Sequence, residues 1–360
     1  MRLIILLQVT LSVCLGQPVI TTVAGNDFVF PNTPLPALNA PLSANGLEIC
    51  ACAVDAAGNV LVADQGNNRV FRVSPSGILS VVAGNGFFGF SGDGGAAIAA
   101  ALAEPLGVTV DSAGNIYVAD TSNLVIRKIS PDGTITIIAG NGGYGYSGDG
   151  GPAVAAEFRF PAEVVVDSVG NVYVADWSDS IVRKISVDGN INTIAGNAYQ
   201  PPGYSGDGGS AVAAELDFSH GGAGLAVDGA GNLYIADSNN NRVRKVSPDG
   251  KIVTVAGNGQ ADYSGDGGPA IAAALNFPTS VASDSAGNLY IADANNGVIR
   301  KVSLEGQITT VAGNGEFGDS GDGGPAIAAA IEPVTVTIDA AGNVYIGESS
   351  GRLRKVALDG

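Results

Sequence analysis

A single histidine, His220, and only three cysteines leave this chain short of the residues that build zinc centres and disulfide frameworks. One of the three, Cys14, falls in an apolar leader, so Cys50 and Cys52 are all that a mature protein would keep. Charge is scarce as well, at 14% of residues, and it is one-sided: 34 acidic against 17 basic side chains give a net charge of −17. A surface of that sign repels nucleic-acid phosphates and anionic lipid, which argues against nucleic acid and membranes as partners. Past the leader, no apolar run is long enough to cross a bilayer, so no membrane span is expected.

The leader, Met1–Gly16, reads as a signal peptide. Arg2 is a minimal basic region, Leu3–Leu15 is a short apolar stretch, and Cys14 and Gly16 place small residues ahead of a cut before Gln17. Leu11–Cys14 only loosely matches a lipoprotein box, because Val13 stands where glycine or alanine is expected. These features predict a domain over 17–360 that is secreted, periplasmic or held at the cell surface.

What the chain has in excess is glycine: 53 of 360 residues, with no collagen-like triplet. Glycine at that level marks many tight turns. One phrase orders them. DAAGNVLVAD begins at Asp55, and close copies begin at Asp111, Asp167, Asp228, Asp284 and Asp339, at spacings of 56, 56, 61, 56 and 55 residues. A period this regular must be read before any local motif.

Each repeat holds four strand-like runs. In the fifth they cover 280–283, 289–292, 298–303 and 307–312, separated by turns rich in glycine and asparagine. Six such units predict an all-β fold, a six-bladed β-propeller of four-stranded blades. The sixth repeat stops where its fourth strand should begin. Val19–Gly25 reads VITTVAG and matches the ITTVAG of 308–313, so the N-terminal segment is expected to close the ring. Closure would protect the edge strands.

The repeat resembles the NHL family, whose pattern is carried by Pro278, Val281, Asp284, Gly287, Asn288, Tyr290, Ala292 and Asp293, then Arg300 and Lys301. The likeness covers essentially all of 17–360, and the phrase SGDGG at Ser91, Ser147, Ser205, Ser264 and Ser320 is similar to the long-loop arrays of bacterial surface and periplasmic members. That resemblance implies the propeller fold. It leaves function open, because such rings serve as binding, sensing and enzymatic modules. One histidine counts against the zinc-dependent lyases and histidine-dyad lactonases that share the fold.

Two rings of charge recur. Asp64, Asp120, Asp176, Asp237, Asp293 and Glu348 end the second strands. Arg127, Arg183, Arg244, Arg300 and Arg354 sit on the third, with Phe71 in the first repeat. Recurrence in nearly every blade makes them structural partners that tie strand to strand. The SGDGG aspartates Asp93, Asp149, Asp207, Asp266 and Asp322 read as caps of a short helix, with a calcium loop as the alternative. Cys50 and Cys52 read as small inner-strand hydrophobes.

A specific site must come from departures from the repeat. Glu163 stands where other blades carry Ala51, Gly107, Gly224, Ser280 and Thr335, and Trp177 is the only tryptophan. Insertions around Tyr199 and His220 follow. A pocket on the long-loop face would use Trp177 and Tyr199 as walls and Glu163 as the charged contact. Glu48, Glu104 and Glu332 share one position before the inner strands of blades one, two and six, either as solvated rim residues or as a cation site.

The reading is a non-enzymatic binding or scaffold module for an unidentified protein, peptide or carbohydrate. No cofactor is predicted, though calcium remains open. The rival is an enzyme similar to the calcium-dependent lactonase and strictosidine-synthase propellers, which hold a central metal with acidic and amide side chains.

Overall fold

The computed structural model describes residues 19–24, 35–40, 42, 49–218 and 222–357. These form six antiparallel sheets arranged as a six-bladed propeller. Blade five is representative. Its strands are Pro278–Ser283, Leu289–Asp293, Val298–Val302 and Ile308–Ala312, paired in that order. The inner strand starts two residues earlier than the sequence pattern indicates, on Pro278, with a register shift before Ser280. Proline is tolerated at that first strand position because it owes the ladder no N–H.

The D-x-x-G-N turn is built by its own side chains. Asp284 accepts the backbone N–H of Ala286 and Asn288 at 3.0 and 2.8 Å and the Asn288 amide at 2.7 Å. Gly287 takes the left-handed conformation there, φ +86°, which a β-carbon would disfavour. The second strand that follows is buried at every position. Alternate residues serve two neighbours: Leu233 and Ile235 of blade four pack toward blade three, while Tyr234 packs toward blade five. The core thus lies between blades, and no blade can bury its faces alone.

Closure follows the expected route. Val19–Ala24 pairs antiparallel with Leu353–Ala357 as the outer strand of blade six, with Thr21 opposite Lys355. Inner strands then meet neighbour to neighbour around the axis, blade six against blade one included. Blade one carries an extra short outer strand, Leu35–Pro36.

The SGDGG aspartates do not cap helices, contrary to the sequence expectation. Each crossing has only a single 3-10 turn, such as Ala270–Ala272, preceded by Pro269 with no side-chain cap. Asp266 instead binds Arg300 of the next blade, Nη2 to Oδ1 at 2.7 Å, and accepts the Thr310 N–H at 3.0 Å. Tyr263 covers this pair: its ring lies 4.8 Å from the guanidinium, and its hydroxyl donates to Asp266. Burial pushes the Asp266 carboxyl up, but the bonds from Thr310 and Arg300 outweigh it and hold it below the usual range.

Four of the second-strand carboxylates pair with the same arginines. Arg300 reaches Asp293 at 3.2 Å, Arg244 reaches Asp237 at 3.1 Å, Arg354 reaches Glu348 at 3.3 Å and Arg127 reaches Asp120 at 3.6 Å. These groups are fully buried. In blade one Asp64 is buried and bound by Asn67, and Phe71 fills the arginine position. Among the described residues no helix is long and apolar enough to cross a membrane.

Candidate functional site

The inner strands leave an axial channel. On the side of the turns that follow the inner strands, residues from all six blades line a space of about 290 Å³. On the long-loop side the channel opens into a mouth of about 450 Å³. Glu163 and Ser280 line both spaces, which puts them at the waist.

Close packing shapes that waist. A β-carbon on Gly107 would come within 2.6 Å of the Ala162 carbonyl oxygen, and one on Gly224 within 2.4 Å of the Ser280 α-carbon. Blade two therefore presses on blade three, and blade four on blade five, with no room for a side chain on those glycines. At the matching position of blade three, Glu163 points its carboxyl into the channel space. It is only partly covered by area, because it faces that space, yet it sits deep in the ring. Burial pushes its carboxyl up to about 8, opposed only by the Val164 N–H, which it accepts at 3.2 Å.

The mouth's walls are apolar and aromatic. Trp177 follows the second strand of blade three, stacks on Phe160 at 5.4 Å and 21°, and faces the cavity with Phe277 and Phe317. Its indole Nε1 is buried with no hydrogen-bond partner among the described residues. The structure thus brings Glu163 and Trp177 to one cavity.

It does not bring Tyr199 there. That side chain is 83% exposed and meets Tyr146 edge-on at 5.8 Å, because the inserted loop projects outward. His220 lies outside the described residues, as does Glu48. Glu332 does line the mouth. It accepts the Ser349 hydroxyl at 2.5 Å, as Glu104 accepts that of Ser122 at 2.6 Å. Among the described residues no group of three His, Cys, Asp or Glu side chains is gathered as a metal centre. Cys52 is a buried free thiol, pushed up to about 12 by burial. The Cys50 side chain lies outside the described residues.

One feature escaped the sequence reading. Blade three carries Asp179 where blades two, four and five have Asn123, Asn240 and Asn296. Asp179 forms an ion pair with Arg159 at 2.5 Å. Aligning the repeats reveals both departures, twenty residues apart.

Comparison with known proteins agrees with the fold. The Teneurin NHL domain family matches residues 88–260. Mouse teneurin-4 is 32% identical over 277 residues, 68% of this chain, and the match spans 10% of that much longer protein. Two solved structures from Bacteroides thetaiotaomicron share the architecture. One, of unknown function, has a TM-score of 0.66 at 20% identity and covers 94% of this chain and 76% of its own. The other, an auxiliary nutrient binding protein, has a TM-score of 0.65 at 14% identity over 95% and 76%. With six in-phase repeats and a closed ring, the chain belongs to the NHL-repeat family of six-bladed β-propellers.

Proposed function

We propose that this propeller is a non-enzymatic binding module of the cell envelope or exterior, and that its ligand enters the channel mouth on the long-loop face. The observation that carries this reading is the cavity shared by Glu163 and Trp177. A concave, mostly apolar space with a few convergent polar groups suits a small ligand or the tip of a larger one. The other five blades place only small side chains at the Glu163 position, so the ring's symmetry is broken where selectivity is needed. A Bacteroides neighbour that shares the fold is described as nutrient binding. The leader Met1–Gly16 supports export.

Trp177 is the sole tryptophan, so its emission reports on the mouth alone. Screening the protein against glycan and peptide arrays should yield ligands that shift this emission on titration. Binders that leave it unchanged would place the site elsewhere and contradict the reading.

A further inference from the structure

The chemistry of the mouth is one-sided. Among the described residues its lining holds two carboxyl groups, Glu163 and Glu332, and no lysine or arginine. Three aromatic rings, Trp177, Phe277 and Phe317, share the wall. Aromatic faces carry negative potential and attract cations, most strongly where water is excluded.

Glu163 also has acceptor capacity to spare. Its one hydrogen bond among the described residues comes from the next residue of its own strand. The polar groups of the neighbouring inner strands are turned to one another: Ser280 accepts the Val336 N–H at 3.2 Å and lies 3.5 Å from the Thr335 hydroxyl. A carboxylate can accept from several donors at once, and the protein supplies this one with a single weak partner. A hard metal ion would need several oxygen ligands converging on it. Two carboxyls among apolar rings suit a large, weakly hydrated cation instead.

We propose that the channel mouth selects ligands bearing an organic cation, an alkylated ammonium or protonated amine, with Glu163 as counter-charge and the three aromatic rings as its wall. This rests on the mouth being the binding site.

A pH signature follows. Among the described residues the groups facing Glu163 at the waist are Cys52, Ser280 and Thr335, with Gly107 and Gly224 contributing no side chain, and Glu332 lies in the wall above. Burial pushes Glu163 up to about 8, so near neutral pH a bound cation must displace its proton. Affinity for a non-titrating cation should therefore rise with pH through that value and then level off.

The test compares choline with 3,3-dimethylbutan-1-ol, its neutral isostere, by titrating the full chain and following Trp177 emission. At a pH of about 8.5 choline should bind at least roughly tenfold more tightly, and it should lose about tenfold or more on lowering the pH by two units. Glu163→Gln, with its fold checked by its melting curve, should abolish both the preference and the pH dependence. Glu332→Gln should reduce the preference and leave the pH dependence. Equal binding of the two probes would overturn the cation proposal and leave the mouth as the binding site. No emission change with either probe up to about 50 mM, where even weak sites fill, would overturn the cation proposal, while the mouth assignment falls only if array-selected ligands also leave the emission unchanged.

Discussion

Blades five and three solve one packing problem in different ways. In blade five, Asp293 accepts the Asn276 N–H at 2.7 Å, the Asn296 amide at 2.9 Å and Arg300 at 3.2 Å. Arg300 passes on to Asp266, so a single guanidinium fastens the crossing to two strands. In blade three the crossing half of this lock survives, with Arg183 and Asp149 at 2.7 Å. The strand half is rebuilt: Asp176 accepts two backbone N–H groups, from Arg159 and Phe160, both at 2.8 Å. The asparagine is now Asp179, held by Arg159. Blade three keeps its place in the ring with a different polar network, and beside that network Trp177, stacked on Phe160, lines the channel mouth. The repeat supplies the scaffold, and the blade that departs from it supplies the chemistry.

The arginine lock offers the largest test of this contrast. Arg300→Met should cost about 3–5 kcal/mol, because it leaves a buried carboxylate without its charge partner. Arg183→Met should cost visibly less, since Asp176 retains both backbone donors. Chemical denaturation of the two variants checks this, and equal losses would mean that the two networks do the same work.

A smaller effect separates the carboxyls by pH. Glu163 is raised from 4.5 to about 8. Between those values the folded protein holds a proton that the unfolded chain releases, so this residue's contribution is full below 4.5 and is lost as pH rises through 8. The turn carboxyls Asp111, Asp228 and Asp339 behave oppositely. Burial pushes them up, but hydrogen bonds from Asn115, Asn232 and Asn343 win and hold them low, so their contribution is lost as pH falls. Glu163→Gln should therefore gain stability over the parent with rising pH, on the order of 2–4 kcal/mol by pH 9, read from paired denaturation curves. Parallel curves from pH 5 to 9 would show that the waist carboxyl is not desolvated.

The period, the turn chemistry and the matching chain ends made the ring legible in the sequence, because each is a local pattern repeated six times. The role of the SGDGG aspartates was not, since Asp266 and Arg300 meet only after the chain has folded back on itself. A signal for it was nonetheless present. The crossing that lacks SGDGG precedes the one blade, the first, that carries Phe71 in place of arginine, so both members of the pair are missing together. Glu163 and Trp177 stood out as departures, and the structure gathers them at one mouth. Tyr199 stood out equally and points outward, because an insertion fixes where a loop is longer and not which way it turns. Asp179 was hidden by chemical similarity to the asparagine that it replaces.

The direct test of the central claim sets the two walls of the mouth against each other with one ligand. Trp177 comes from the divergent blade, and Asn295, across the same cavity, from the regular blade five. For an array-selected ligand measured by calorimetry, Trp177→Ala should weaken binding by roughly 2 kcal/mol or more, as loss of an aromatic anchor does, while Asn295→Ala changes it little. Equal losses at both positions, or none at Trp177, would contradict the assignment of function to the blade that breaks the repeat.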